Sequence, residues 1–391
     1  MSKRMWVSGM LAFLCMLNVL GTAALAAEPP TIGTNAEAAA LVDVKSGRVL
    51  YSKRGDRPMR IASLTKIMTA IVAIEESKLT DIVKVSTRAA GKEGSSLYLK
   101  AGQEMSLKHM LYGLMLRSGN DAATAIAEHV GGSVEGFAVM MNRKAEQIGL
   151  DHSNFTNPSG LDESADHYSS ANDLAKLAAY SLKNPTFQEI VQTKMIKVPN
   201  PNESWEYTWF NKNKMLGLFD GADGVKTGYT KLAKRCLVSS ATRNGQQLVV
   251  VTLNDGDDWA DHTRLLRWGY EHYPLVPLLK KGQAVEGTPY VAEREFSYPL
   301  LSEEKDRVTS EPESFPLDSL DARLGEKGAL RLKLDDRLIG TVPLVDPASP
   351  RLKAADKAAF GFQASDADVT AWNAWSLSLR KAIRAMLSPG V

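Results

Sequence analysis

Ser63 and Lys66 stand three residues apart in the apolar run IASLTKIMTA, residues 61–70. At helical pitch both side chains leave the same turn, so a hydroxyl and an amine are set side by side. One reading is a helix cap with a lysine facing water. The other is a nucleophile beside the amine that takes its proton. Taken alone, Ser63 fits either. The same Ser-x-x-Lys spacing recurs at Ser302/Lys305, in an acidic stretch, and at Ser378/Lys381, near the C-terminus. Neither resembles a site, and only Ser63 heads an apolar helix, where unpaired amides and the helix dipole favour negative charge.

Two further clusters supply what the pair lacks. Ser118-Gly119-Asn120 falls between the apolar segments LKHMLYGLML and DAATAIAEHV. It reads as two abutting caps or as a second pair of polar groups for the site. Ser170-Ala171-Asn172 has the same pattern and reads as a cap only. Lys226-Thr227-Gly228, in GADGVKTGYT, lies on an expected edge strand, whereas Lys45-Ser46-Gly47 reads as a hairpin turn. Together these groups meet the needs of acyl transfer to serine. Lys66 accepts the Ser63 proton only when neutral, and burial beside a second cation, Lys226, would depress its pKa. Ser118 would relay the proton to the leaving amine, and Asn120 would hold Lys66 or the substrate amide. Thr227 and Lys226 would meet a substrate carboxylate, Gly228 would let a backbone approach, and the N–H groups of Ser63 and Tyr229 would bind the oxyanion.

The ordered set Ser-x-x-Lys, Ser-x-Asn, Lys-Thr-Gly resembles penicillin-binding proteins and serine β-lactamases. The surroundings IASLTKIMTA, LMLRSGNDAA, FTNPSGLD and GADGVKTGYT are similar to the low-molecular-mass D-alanyl-D-alanine carboxypeptidases, over about residues 36–275. KTGYTKLAKR with NDGDDWADH most resembles the sporulation-associated, spore-cortex branch. The resemblance implies removal of the terminal D-Ala from peptidoglycan stem peptides through an acyl-Ser63 intermediate, with no cofactor, and acylation by β-lactam antibiotics. One departure stands out. Many relatives carry a carboxylate-holding arginine just before the helix that follows the Lys-Thr-Gly strand pair, where this chain has Asp257-Asp258-Trp259. Recognition then rests on Thr227 and Lys226, or on another arginine such as Arg264.

The elements that must position these groups follow from patterning. AALVDVKSGRVLYSKR (39–54) reads as a strand hairpin, and RCLVSSATRNGQQLVVVTLND as a second hairpin around Asn244-Gly245. Helices are expected at 63–77, 106–117, 120–130, 133–148, 171–183 and 260–273. Strands at both ends of a helical middle favour an α+β fold: one antiparallel sheet with helices on its faces and a helical subdomain, as in penicillin-binding proteins. From 276 to 360, Pro and Gly punctuate short β-like pieces such as ALRLKLDDRLIGTVPLV, which reads as a small all-β domain. The expected domains are therefore 1–26, 27–275, 276–360 and 361–391.

The ends of the chain carry their own signals. Lys3 and Arg4, an apolar run and Ala24-Leu25-Ala26 have the order of a cleaved secretory leader, a retained anchor being the alternative. Removal of this segment takes Cys15 with it and leaves Cys236, in an apolar strand-like run, as a buried small residue. In 370–387, Trp372, Trp375, Leu379, Ile383 and Met386 form one helical stripe opposite Arg380, Lys381 and Arg384. The stripe fits a helix lying in a membrane surface, or one docked on the protein's own domain; it is too polar to span a bilayer. The expected location is the outer face of the cytoplasmic membrane.

The 391 residues carry a net charge of only +2, which gives no support to nucleic-acid binding. The six histidines show no metal-ligand spacing, which argues against a zinc peptidase. A class A β-lactamase would need a deacylating glutamate in a Glu-x-x-Leu-Asn segment, and none of the glutamates between Ser118 and Lys226 has that context. Transpeptidation and a non-catalytic wall sensor remain as alternatives on the same machinery.

Overall fold

The computed structural model describes residues 31–200, 203–316 and 318–353. The expected leader (1–26), Cys15, the terminal amphipathic helix (370–387) and the third Ser-x-x-Lys pair lie outside the described residues.

Strand β1 (Ala38–Asp43) and strand β2 (Val49–Lys53) form the N-terminal hairpin. Its turn is closed by Asp43 Oδ1, which accepts from Ser46 N at 2.8 Å and Ser46 Oγ at 2.6 Å. Gly47 follows at φ +70°, a conformation that costs glycine little. Strands β3 (Ala222–Thr230), β4 (Lys234–Arg243) and β5 (Gln246–Leu253) complete an antiparallel sheet of order β2-β1-β5-β4-β3. The Asn244-Gly245 turn joins β4 and β5 with both residues at positive φ, the conformation that pair was expected to supply. Because β1 pairs with β5, the two ends of residues 38–253 are zipped together, and β3 is left as an edge.

Helices cover both faces of this sheet, so β1 is buried along its whole length. Ala38, Ala40, Val42, Val238, Val249 and Val251 face a large core shared with the helical middle. Leu41, Leu237, Leu248 and Val250 face the other way, against Leu265 and Leu266. These last two belong to the helix Asp258–His272, called α7 below. Before it come α1 (Lys66–Glu76), α2 (Leu107–Tyr112), α3 (Asn120–Gly131), α4 (Val134–Ile148), α5 (Ala171–Ser181) and α6 (Pro185–Gln192). Ser106, Ser133 and Ser170 cap α2, α4 and α5 through their side chains, which bears out the cap reading of Ser170.

Two expected helices are interrupted, both at the site. The run from 63 opens as a single 3-10 turn, Ala62–Thr65, with Ala62 at φ +47°, before α1 begins at Lys66. The run 106–117 changes after α2 into a π turn, Gly113–Arg117, ending at Ser118 with φ 65°. Such departures from i→i+4 bonding concentrate at functional positions. Helix α6 was not anticipated, although Asn184-Pro185 is a sound start signal.

Beyond α7, Leu275–Leu279 pairs with Phe296–Pro299, and four further strands form a sheet around Leu330, Leu332, Val342 and Leu344. The region is mainly β, as expected, with short helical turns at Ser302–Arg307, Leu320–Arg323 and Pro350–Leu352. Arg48, in the N-terminal hairpin, reaches into it. Its guanidinium meets both oxygens of Glu304 at 2.6 and 2.8 Å and Pro299 O at 2.6 Å, between the rings of Tyr273 and Tyr298.

Candidate active site

The bland reading of Ser63 and Lys66 does not hold. Ser63 makes no capping bond, and Lys66 is 0% exposed. The Lys66 Nζ lies 3.0 Å from Ser63 Oγ, 2.8 Å from Asn120 Oδ1 and 2.6 Å from the carbonyl oxygen of Ser159. Burial is the main cause that holds its pKa well below the usual lysine value; the charges of Lys226 and Lys212 add to it, and Asp121 opposes them.

Asn120, the first residue of α3, cannot swing freely. Its Nδ2 donates to Glu93 O at 2.6 Å and its backbone N–H to Ser95 O at 2.7 Å, which turns the side-chain oxygen toward Lys66. Next to it, the buried carboxylate of Asp121 accepts from Leu97 N, Leu99 N and Ser96 Oγ and so holds the 95–99 loop. Ser118 is buried in the left-handed conformation between the π turn and α3. Among the described residues its hydroxyl bonds to neither Ser63 nor Lys66.

Strand β3 supplies the opposite wall. Lys226 is 1% exposed and donates to Thr227 O at 2.8 Å. Its amine is lowered to about 7, by burial first and then by Lys212. A Cβ at Gly228 would stand 3.2 Å from Ser63 N and 3.2 Å from Ile61 O, tighter than most real contacts. Glycine there lets the edge strand lie against the Ser63 turn. Thr227 is partly exposed, and Tyr229 is 64% exposed.

Sequence reasoning missed the loop that clamps the Ser63 turn. Asn157 Oδ1 accepts from Ser159 N and Gly160 N, shaping a bend that delivers Ser159 O to Lys66 and Pro158 O to Thr69 Oγ1 at 2.7 Å. Gly160 has φ +81°, and a Cβ on it would come within 1.8 Å of Ala62 O. His167 braces the turn from behind. Thr156 N donates to its Nδ1 at 3.1 Å, so its Nε2 carries the proton toward Thr65 Oγ1, 2.8 Å away. Burial pushes this ring down to about 4, which keeps it neutral. The stretch FTNPSGLD was visible only as part of a resemblance, and nothing in it flags a carbonyl oxygen as a partner for lysine.

Other candidates fall away from this cluster. Arg264 is ion-paired with Asp261 on α7, behind the sheet. Cys236 is buried, and desolvation raises its thiol to about 12, so it behaves as the small buried residue expected. The assembled groups form a serine beside a desolvated amine, flanked by an edge strand with a free side. That arrangement suits attack on the carbonyl of a substrate that lies along the strand.

The sequence and the fold are similar to those of known proteins. Residues 23–257 match the family model described as D-alanyl-D-alanine carboxypeptidase. The chain is 37% identical over 258 residues to the D-alanyl-D-alanine carboxypeptidase DacF of Bacillus subtilis, an alignment spanning 64% of this chain and 66% of that one. The structure is similar to the D-alanyl-D-alanine carboxypeptidase DacD from Francisella tularensis, with a TM-score of 0.64 and 27% identity, covering 81% of this chain and 94% of the other. It is also similar to an S96A mutant of the Streptomyces K15 DD-transpeptidase, with a TM-score of 0.58 and 31% identity, covering 62% and 100%.

Proposed function

The chain belongs to the D-alanyl-D-alanine carboxypeptidase family, and from that membership we propose which of its residues carry the serine peptidase reaction. Ser63 Oγ attacks the carbonyl between the two terminal D-alanines of a peptidoglycan stem peptide while neutral Lys66 takes its proton. The neutral amine keeps two N–H bonds for Asn120 Oδ1 and Ser159 O and turns its lone pair to Ser63. The N–H groups of Ser63 and Tyr229 hold the oxyanion. The C–N bond breaks, the leaving D-alanine takes a proton through Ser118, and water then hydrolyses the acyl-Ser63 ester. Thr227 offers its hydroxyl to the substrate carboxylate, the charge of Lys226 helps keep Lys66 neutral, and Gly228 keeps the strand close. The observation that carries this reading is the fully buried amine 3.0 Å from the serine hydroxyl.

The test is D-alanine release from a stem peptide ending in D-Ala-D-Ala by the purified full-length protein, with Ser63→Ala alongside. Release by the native chain and none by the variant is the expected result. Full release by the variant would sink the assignment of the nucleophile. β-Lactams should acylate Ser63 and stay, since no carboxylate among the described residues hydrogen-bonds to Ser63 or Lys66. A labelled penicillin adduct that clears within seconds would contradict this.

Transpeptidation is the second reading, supported by the likeness to a protein named DD-transpeptidase. Adding an amine acceptor and measuring how the acyl group divides between water and amine separates the two. A protein that binds penicillin but turns over neither way would be a sensor. Export and attachment to a membrane surface rest on residues 1–26 and 370–387, and fractionation of cells expressing the chain with and without 361–391 tests them. The spore-cortex role rests on KTGYTKLAKR and NDGDDWADH, and expression timed against sporulation would test it.

A further inference from the structure

The substrate in that reading carries a carboxylate on its leaving residue, one Cα beyond the bond that is cut. A cation must meet it, and the buried lysines are poor choices. Lys66 works as a neutral base, and Lys226, with its amine near 7, is only partly charged at neutral pH. Arg264 is on the helix behind the sheet. Arg235, on β4, keeps its charge at any working pH.

Its placement follows from strand register. On β3 and β4, Thr227 pairs with Leu237, Gly228 with Cys236 and Tyr229 with Arg235. Paired residues share a face, and alternate residues face opposite ways. Cys236 and Val238 pack into the core on the nucleophile side, while Leu237 packs against α7. Gly228 accordingly lies against the Ser63 turn, and Thr227 and Arg235 lie together on the other face, diagonal neighbours at the mouth of the edge strand. Arg235 is also fixed in direction. Asp258, in the first turn of α7 and with a side chain only 5% exposed, accepts from Arg235 Nε at 3.2 Å and from Nη2. The indole of Trp259 lies 5.8 Å from its Cζ. A carboxylate that grips Nε and Nη2 leaves Nη1 pointing the opposite way. Among the described residues Nη1 has no acceptor, and the side chain is 44% exposed.

We infer that Arg235, clamped by Asp258 and Trp259, is the residue that reads the free carboxylate of the leaving D-alanine, beside the Thr227 hydroxyl. This assignment rests on the acyl-serine reading above and adds the source of its specificity.

A matched pair of substrates tests it on the full-length protein: an N-acyl-D-alanyl thioester of thioglycolate, and the same thioester with the thioglycolate carboxylate masked as its methyl amide. The acyl group and the scissile bond are identical, so the two differ only in the charge to be read. Arg235→Gln should lower kcat/KM for the acid by about ten- to a hundredfold, the size of a lost charged hydrogen bond. Turnover of the masked amide should stay within about twofold. Arg235→Lys should recover part of the loss, since it keeps the charge but not the fork. Asp258→Asn, which loosens the clamp, should fall between. An equal loss on both substrates would make Arg235 a structural residue, and no loss on either would put carboxylate recognition elsewhere; each overturns the proposal. Turnover of the masked substrate also reports that the variant is folded. Ser63→Ala that still turned over both thioesters would instead overturn the acyl-serine reading, a result the Arg235 variants cannot mimic.

Discussion

Lys66 and Lys226 set the pH behaviour of the site in the proposed reaction, because both amines are buried and the charge of Lys226 lowers the affinity of Lys66 for a proton. The proposed acylation needs neutral Lys66, so its rate should rise with pH to a plateau, with an inflection well below the ordinary lysine pKa near 10.5. Removing the neighbouring charge with Lys226→Gln takes away one cause of that depression. The inflection should therefore move to higher pH, whatever happens to the plateau rate. A pH profile of penicillin acylation for the two proteins checks the direction. Ser63 and Lys66 were legible as a pair because three residues of separation fixes them on one turn. Their partners were not. Ser159 O is a main-chain oxygen 93 residues away, and a carbonyl has no residue identity to read.

The 3-10 turn and the loop 157–162 act as one element. Gly160→Ala would place a Cβ against Ala62 O in a backbone conformation that alanine rarely adopts, so either the loop or the nucleophile turn must move. We expect a stability loss of about 2 kcal/mol or more, seen as a lower melting temperature, together with slower acylation. His167 links the same elements to pH. Its folded pKa, about 4, lies below the unfolded value near 6.5. The unfolded chain therefore takes up the proton first, and stability falls as pH drops from about 6.5 toward 4. The loss is at most about 3 kcal/mol for this ring. His262, held by Ser239 and Thr252 behind the sheet and lowered to about 3, adds in the same direction. Melting curves from pH 7 to pH 4 should show this slope, and His167→Gln should flatten it.

At the scale of the molecule, the N-terminal hairpin joins the catalytic region to the β-rich region that follows. The Arg48–Glu304 pair is largely buried, and Glu304 also accepts from Leu301 N. Arg48→Met would leave that carboxylate without its cation, at a cost of about 3–5 kcal/mol. Hydrogen exchange should quicken across Phe296–Pro299 and Ser302–Arg307, while D-alanine release stays within about twofold of the native rate. Equal loss of protection throughout the catalytic sheet would show instead that the two regions fold as one unit. One antiparallel sheet joining the N-terminal hairpin to the late strands was expected from strand runs at both ends of a helical middle; that the join runs through β1 and β5 is seen only in the structure. The contact through Arg48 was not expected, because an arginine immediately after a hairpin turn reads as surface.

By itself the sequence determined the Ser63–Lys66 pairing, the order of the three motifs, the two hairpins and most of the helices. Each of these rests on local rules: helical pitch, capping side chains, and turns that need positive φ. Only the tertiary structure decided that Lys66 is buried, that Gly228 lies against the Ser63 turn, and that His167 and the Ser159 carbonyl close around that turn. It also decided which face of the sheet Arg235 occupies, since that depends on the register between β3 and β4. These features arise where segments far apart in sequence meet, through burial, main-chain oxygens and strand register. None of the three is written in the identity of a single residue.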